Sequence, residues 1–348
     1  MRRPLSRCLP LSPAAPRAHS LSAPRAHSPS AARMHSGSPA SSSPSTGSST
    51  ATSTGSSTST ARRVACCGVA VCAVGLAWAA GAPPASATTA SATTPGPRYV
   101  ALGDSYSSGA KLPTQVDTNC ARSDHNYPSL VARAVHAASF TDVTCAGADT
   151  TDMAGRQGSA PPQLDALRPD TTLVTVGIGG NDLDLPALFG RCFVLGLALP
   201  NGAPCKASYT PLGYDEIAAK INGVGPKIDA VLKEIHARSP RARVLLVGYP
   251  DILPGDGTTC HDEVPLASGD VPWVDQEERY LDTMLAEQAA TYGARYVDTY
   301  RASVGHDVCK PVGVRWIEPK DTATTAGLHP NLAGHRAMAK AVEATLRR

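Results

Sequence analysis

The first 87 residues contain no aspartate or glutamate; all 29 acids lie after Ala87, whereas eight arginines precede it. The formal charge of +3 therefore averages two unlike parts, a leader of +8 and a remainder of 24 − 29 = −5. A mildly acidic domain has no cationic footprint with which to neutralise phosphates, so nucleic-acid binding is excluded. Aromatics are scarce too, with three Trp and three Phe, which argues against a stacking platform for polysaccharide. After the leader no two cysteines stand in C-x2-C spacing, so a zinc site has no ligand pattern to rest on. The glycine-rich stretch at 103–109 lacks the lysine of a phosphate loop, and a G-x-S-x-G elbow would need glycine at Ser107.

What is present begins with the leader. Residues 36–61 are almost wholly Ser, Thr, Ala, Gly and Pro, and cannot bury enough apolar surface to offset the entropy of folding. Arg62 and Arg63 then precede an apolar run over 64–82, and Ala85-Ser86-Ala87 forms an A-x-A site. Basic flank, apolar segment and small-residue site are the parts of a secretory signal peptide, read as cleaved rather than kept as an anchor. The expected organisation is a disordered leader plus signal peptide over 1–87 and one domain over 88–348, located outside the cell. Export agrees with the six cysteines beyond the leader, an even number suited to disulfides. The expected pairing is sequential, Cys120 with Cys145, Cys192 with Cys205 and Cys260 with Cys309, because each bridge closes a local excursion between core elements.

Along 88–348, short β-branched runs at 98–102, 141–145, 172–178, 242–249 and 294–300 read as buried strands. Between them, 127–138, 213–239 and 274–293 carry apolar residues three and four apart and read as helices, and a last helix follows Pro330 with Asn331 as its N-cap. Pro226 is expected to end or kink the second of these. The alternation predicts an α/β domain: a doubly wound, five-stranded, mostly parallel sheet with helices on both faces. Ligands then bind at the carboxyl ends of the strands, which selects the loops to examine.

Gly103-Asp104-Ser105 follows the first strand, and the first serine is the one held at the sheet edge. Gly147 follows the second strand and can offer an unobstructed N–H; Gly180-Asn181-Asp182 follows the third, and the Asn181 amide is a donor that stays neutral at every pH. His329 precedes the last helix, where Pro330 keeps its imidazole outside regular structure. Each residue has a bland reading as turn, cap or core.

As a set, Gly103-Asp104-Ser105, Gly147, Gly180-Asn181-Asp182 and His329-Pro330 resemble the blocks of the SGNH, or GDSL, hydrolases, from Tyr99 to the last helix. Within that family the chain is most similar to secreted streptomycete lipases and esterases, which carry three sequential disulfides and a segment like Trp316-Ile317-Glu318-Pro319. The resemblance implies a flavodoxin-like sheet, Ser105 as nucleophile, His329 as base and then acid, and an oxyanion hole from the Ser105 N–H, the Gly147 N–H and the Asn181 side chain. It implies no cofactor and no metal. One position departs: the family's Asp-x-x-His-Pro pattern has Ala326 in place of the aspartate. The backbone carbonyl of Ala326 is the expected substitute for orienting His329, with Asp321 a second candidate.

The expected activity is hydrolysis of carboxylic esters. The stretch 185–205 reads as an apolar loop pinned by Cys192 and Cys205 and favours lipid or fatty-acyl esters, with Phe189, Phe193, Val194, Leu195, Leu197 and Leu199 expected to line an acyl channel. A carbohydrate or small-molecule O-deacetylase is the alternative, and an inactive binding module of the same fold is a third reading. The expected partner is the ester or lipid substrate alone, met by a monomer without a stable membrane anchor.

Overall fold

The computed structural model describes residues Pro95–Arg348, so the leader and signal peptide expected over 1–87 lie outside the described residues. In chain order the strands are β1 (Arg98–Gly103), β2 (Gln115–Asp117), β3 (Arg122–Ser123), β4 (Ser139–Asp142), β5 (Leu173–Gly177), β6 (Arg243–Val247) and β7 (Arg295–Val297). The helices are α1 (Ser105–Ser108), α2 (Tyr127–Ala134), α3 (Leu185–Ala198), α4 (Pro204–Tyr209), α5 (Glu216–Arg238), α6 (Val271–Thr291), α7 (Tyr300–Ser303) and α8 (Leu332–Arg347).

Five strands form one sheet in the order β4-β1-β5-β6-β7, with every neighbouring pair parallel, while β2 and β3 make a separate antiparallel hairpin. The chain moves outward from β1 to β4 and then crosses to β5 on the other side. That reversal opens a crevice at the carboxyl ends of β1 and β5, where a doubly wound sheet binds its ligand. Gly103 and Gly177 are partners in register there, so no side chain stands between the strand ends and the loops above them.

The sheet is covered on both faces because its strands alternate between two apolar clusters. Val100, Leu102, Val174, Val176, Val244 and Leu246 pack with the buried sides of α5 and α6. Tyr99, Ala101, Leu173, Leu245 and Val247 face the opposite way, toward α2 and α8. Asn126 caps α2 by accepting from Ser129 N, and Asn331 caps α8 by accepting from Ala333 N and Gly334 N. The three cysteine pairs are those expected: Cys120–Cys145, Cys192–Cys205 and Cys260–Cys309.

Of the two outcomes expected at Pro226, the helix end is not found, since α5 runs 23 residues through it. The clash of a proline ring with the preceding residue involves that residue's Cβ, and here the preceding residue is Gly225. The stretch read as a loop after Asn181 is largely helical, forming α3 and α4.

Candidate active site

Gly103 ends β1 with φ 148°, and a Cβ there would stand 2.4 Å from Ser107 Oγ and 2.6 Å from the Gly177 carbonyl oxygen. Only glycine makes this turn. Asp104 then caps α1, its buried carboxylate accepting from Tyr106 N at 2.9 Å and from Tyr249 OH at 2.6 Å. Burial pushes the Asp104 carboxyl up to about 6, while the Tyr249 and Tyr106 bonds pull in the other direction. Ser105 is thereby the first residue of α1, and its N–H has no acceptor among the described residues. Ser107 and Ser108 are buried, with Ser107 Oγ paired to Tyr127 OH at 3.2 Å. Of the three serines, Ser105 alone lines a cavity.

His329 reaches that cavity from the far end of the chain. Its Nε2 lies 2.7 Å from Ser105 Oγ and its Nδ1 lies 2.7 Å from the Gly327 carbonyl oxygen. A carbonyl can only accept, so Nδ1 carries the proton and Nε2 presents its lone pair to the serine hydroxyl. The orienting carbonyl is therefore that of Gly327, not of Ala326. The reason is local geometry: Leu328 takes φ 59°, and this left-handed step turns the chain so that the ring folds back over the carbonyl two residues earlier. The Ala326 oxygen instead accepts from His329 N at 3.3 Å. Asp321 is exposed and pairs with Lys320, so it takes no part either.

The loop that carries His329 is held from two sides. Leu328 N donates to the Glu318 carbonyl at 3.0 Å, Glu318 N donates to the His329 carbonyl at 3.1 Å, and Asn331 N donates to the Trp316 carbonyl at 2.8 Å. The Trp316–Pro319 stretch thus serves as a backing strand. From α1, Tyr106 OH donates to the Leu328 carbonyl at 2.6 Å, and its ring centroid lies 4.7 Å from that of His329. Burial holds the His329 imidazole below its ordinary range; the Lys111 charge acts in the same direction and the Gly327 carbonyl against it.

Gly147 and Asn181 line the same cavity from the ends of β4 and β5. Gly147 has φ 81° and an N–H without an acceptor among the described residues. Its neighbours are fixed: Ala146 N donates to the Cys120 carbonyl at 2.9 Å, beside the Cys120–Cys145 bridge. Asn181 Nδ2 gives one hydrogen to the Ala148 carbonyl at 2.8 Å and keeps a second. Asp182 joins the two loops, accepting from Thr150 N at 3.0 Å, from Thr150 Oγ1 at 2.6 Å and from Lys227 at 2.8 Å. The structure thus gathers Ser105, Gly147, Asn181 and His329 around one opening. The sequence reading missed Tyr106, Tyr249 and the Gly327 carbonyl, none of which has a spacing signature.

The cavity has a volume of about 420 Å³, and Leu185, Pro186 and Phe189 of α3 form one wall. A smaller space of about 70 Å³ adjoins it behind Tyr106 and Tyr249, lined by Leu188, Ile217 and Leu281. The expected acyl channel is corrected in part. Phe189 lines the cavity and Phe193 packs on it with ring centroids 5.7 Å apart, while Leu195 packs against the core. Val194 and Leu197 are 67% and 65% exposed, because helical spacing turns them away from the buried Leu188 and Cys192, and Leu199, 56% exposed, lies past the end of α3 where the backbone has left the helix. Among the described residues there is no cluster of His, Cys, Asp or Glu that could hold a metal, and no helix long and apolar enough to cross a membrane.

The sequence matches the GDSL-like Lipase/Acylhydrolase family over residues 101–337. It is 40% identical over 256 residues to Lipase 2 of Streptomyces coelicolor, covering 71% of this chain and 85% of that protein. In structure it is similar to phospholipase A1 from Streptomyces albidoflavus, with TM-score 0.60 and 28% identity over 72% of this chain and 99% of that one. The extracellular lipase from Streptomyces rimosus gives TM-score 0.59 and 27% identity with the same coverage. Sheet order, site and relatives agree: the chain belongs to the GDSL-like lipase/acylhydrolase family and is a carboxylic-ester hydrolase.

Proposed function

We propose that this protein is an exported serine hydrolase that cleaves fatty-acyl esters through an acyl-enzyme on Ser105. The observation that carries the mechanism is the 2.7 Å contact between His329 Nε2 and Ser105 Oγ, with Nδ1 held on the Gly327 carbonyl. A serine hydroxyl is a weak nucleophile until a base takes its proton. Here the base is neutral, because burial lowers the imidazole's proton affinity.

Ser105 Oγ attacks the acyl carbon as its proton passes to His329 Nε2. The carbonyl electrons collect on an oxyanion that the N–H groups of Ser105 and Gly147 and the second Asn181 hydrogen receive. The oxyanion collapses, the alcohol leaves with the proton from Nε2, and the acyl group stays on Oγ. Water then gives its proton to Nε2, attacks the acyl carbon, and the acid departs as Ser105 regains its hydrogen. The Gly327 carbonyl stabilises the transient imidazolium and fixes the tautomer, the part played by a carboxylate in three-residue sites.

The apolar wall of Leu185, Pro186 and Phe189 favours an acyl chain over a sugar. The names of the similar lipases and phospholipase agree with this reading. Three disulfides among the described residues and the leader's composition support export. The test is release of p-nitrophenol from esters of rising chain length, beside Ser105→Ala. Turnover that rises with chain length and vanishes in the variant is expected; a preference for acetate would favour the O-deacetylase reading instead.

A further inference from the structure

We propose that the outward face of α3 docks on an anionic lipid surface and brings the mouth of the catalytic cavity to it, an inference that rests on the fatty-acyl reading above. The first turn of α3 supplies Leu185, Pro186 and Phe189 to the cavity wall, and Pro186 is also open to solvent. From there the exposed positions run down one side of the helix as Ala187, Gly190, Arg191, Val194, Leu197 and Ala198. The opposite side, with Leu188, Cys192 and Gly196, is buried. A helix that buries one apolar side and leaves the other in water has an unpartnered face.

Charge selects the occupant. Residues 185–214 contain two cations, Arg191 and Lys206, and no acid, although the chain after Ala87 carries 24 basic against 29 acidic side chains. Both cations are exposed. The acids that bound this stretch are engaged: Asp184 accepts from Ala187 N at 3.4 Å, and Asp215 accepts from Ile217 N and Ala218 N at 2.9 Å each. An apolar face that carries Arg191, in a stretch with Lys206 and no acid over 185–214, is complementary to a layer of acyl chains beneath negative headgroups. The Cys192–Cys205 bridge ties α3 to the following segment, where Leu212 stands fully exposed on a left-handed backbone of φ 54° beside the 62% exposed Tyr214.

The probe is sucrose-loaded vesicles rich in phosphatidylglycerol, sedimented with the full chain carrying Ser105→Ala so that the lipid stays intact. Adding Val194→Asp and Leu197→Asp together is expected to lower partition into these vesicles by about 10-fold or more, since two apolar side chains no longer enter the layer. In a Ser105-containing chain the same pair of changes is expected to leave turnover of soluble p-nitrophenyl acetate unchanged, which shows that the fold survives. A Leu197→Trp reporter is expected to shift its emission to the blue only when vesicles are added. Equal partition of wild type and double variant overturns the proposal, as does equal partition onto purely phosphatidylcholine vesicles. So does a concentration-dependent dimer that the double variant abolishes, which would give the face to a second copy of the chain. Loss of long-chain turnover with vesicle binding intact would instead strike the fatty-acyl reading.

Discussion

The phenol of Tyr106 donates to the Leu328 carbonyl over 2.6 Å, so the residue after Ser105 holds the residue before His329. Ser105 and His329 are thus coupled through the backbone as well as through their own contact. Tyr106→Phe keeps the ring against the imidazole and removes only this bond. With the Leu328 carbonyl left unpaired, at about 1–3 kcal/mol, kcat is expected to fall about 10-fold with KM nearly unchanged. A proportional rise in KM would show that Tyr106 serves substrate binding instead.

Asn181 keeps one hydrogen free after donating to Ala148, and that hydrogen is the assigned oxyanion donor. Asn181→Ala is expected to lower kcat by about 10²–10³. Steady-state kinetics on a soluble ester decide it; a change below threefold would remove Asn181 from that role.

The acid limb of the kcat/KM profile reports His329 in the free enzyme. Burial, and secondarily Lys111, hold its proton affinity down, so the limb is expected below the ordinary imidazole value of about 6.5. Activity is then full at neutral pH and lost as pH falls through the lowered value. Lys111→Gln removes the repelling charge, and the limb is expected to move upward.

Stability is expected to decrease from pH 5 to pH 8. Asp251, Glu277 and Asp282 are each pushed up to about 7, chiefly by burial. Unfolded carboxyls titrate near about 4, so between about 4 and 7 the folded chain binds protons that the unfolded chain has released. Stability therefore falls as pH rises through this window and levels off above it. His335 opposes the trend, because burial lowers it to about 3 and the unfolded chain takes up its proton first as pH drops. The carboxyls outnumber it. Thermal melts across this range check the sign, and Asp251→Asn is expected to flatten the slope.

The Cys120–Cys145 bridge spans 25 residues and ends two positions before Gly147. Replacing both cysteines by serine is expected to cost about 3 kcal/mol of stability in denaturant unfolding. At temperatures where the variant stays folded, kcat is also expected to drop, because Ala146 and Gly147 lose their anchor.

β1, β5 and β6 were legible because they are short, apolar and buried on both faces, whereas the edge strand β4 is Ser139–Asp142, polar and partly exposed, and overlaps the expected run 141–145 only at its last two residues. Ser105, Gly147, Asn181 and His329 were singled out because, as a set in loops after strands and before the last helix, they resemble the SGNH hydrolase blocks; taken singly each reads equally well as turn, cap or core. The Gly327 carbonyl was not legible, since every residue owns a carbonyl and only the left-handed step at Leu328 aims this one. Nor was the helical state of 185–198: a nearly charge-free run shows no polar face by which to recognise its period, and Asp184 caps it from an αL backbone. Tyr249 was unreadable for another reason, because its bonds to Asp104 and Gly180 join positions far apart in sequence.

Ser105 and His329 are 224 residues apart, and the base sits on the loop just ahead of the final helix. On the mechanism proposed above, a chain leaving the ribosome therefore carries Ser105 long before it carries the histidine that activates it. Until α8 docks beside β7 the serine is an ordinary alcohol.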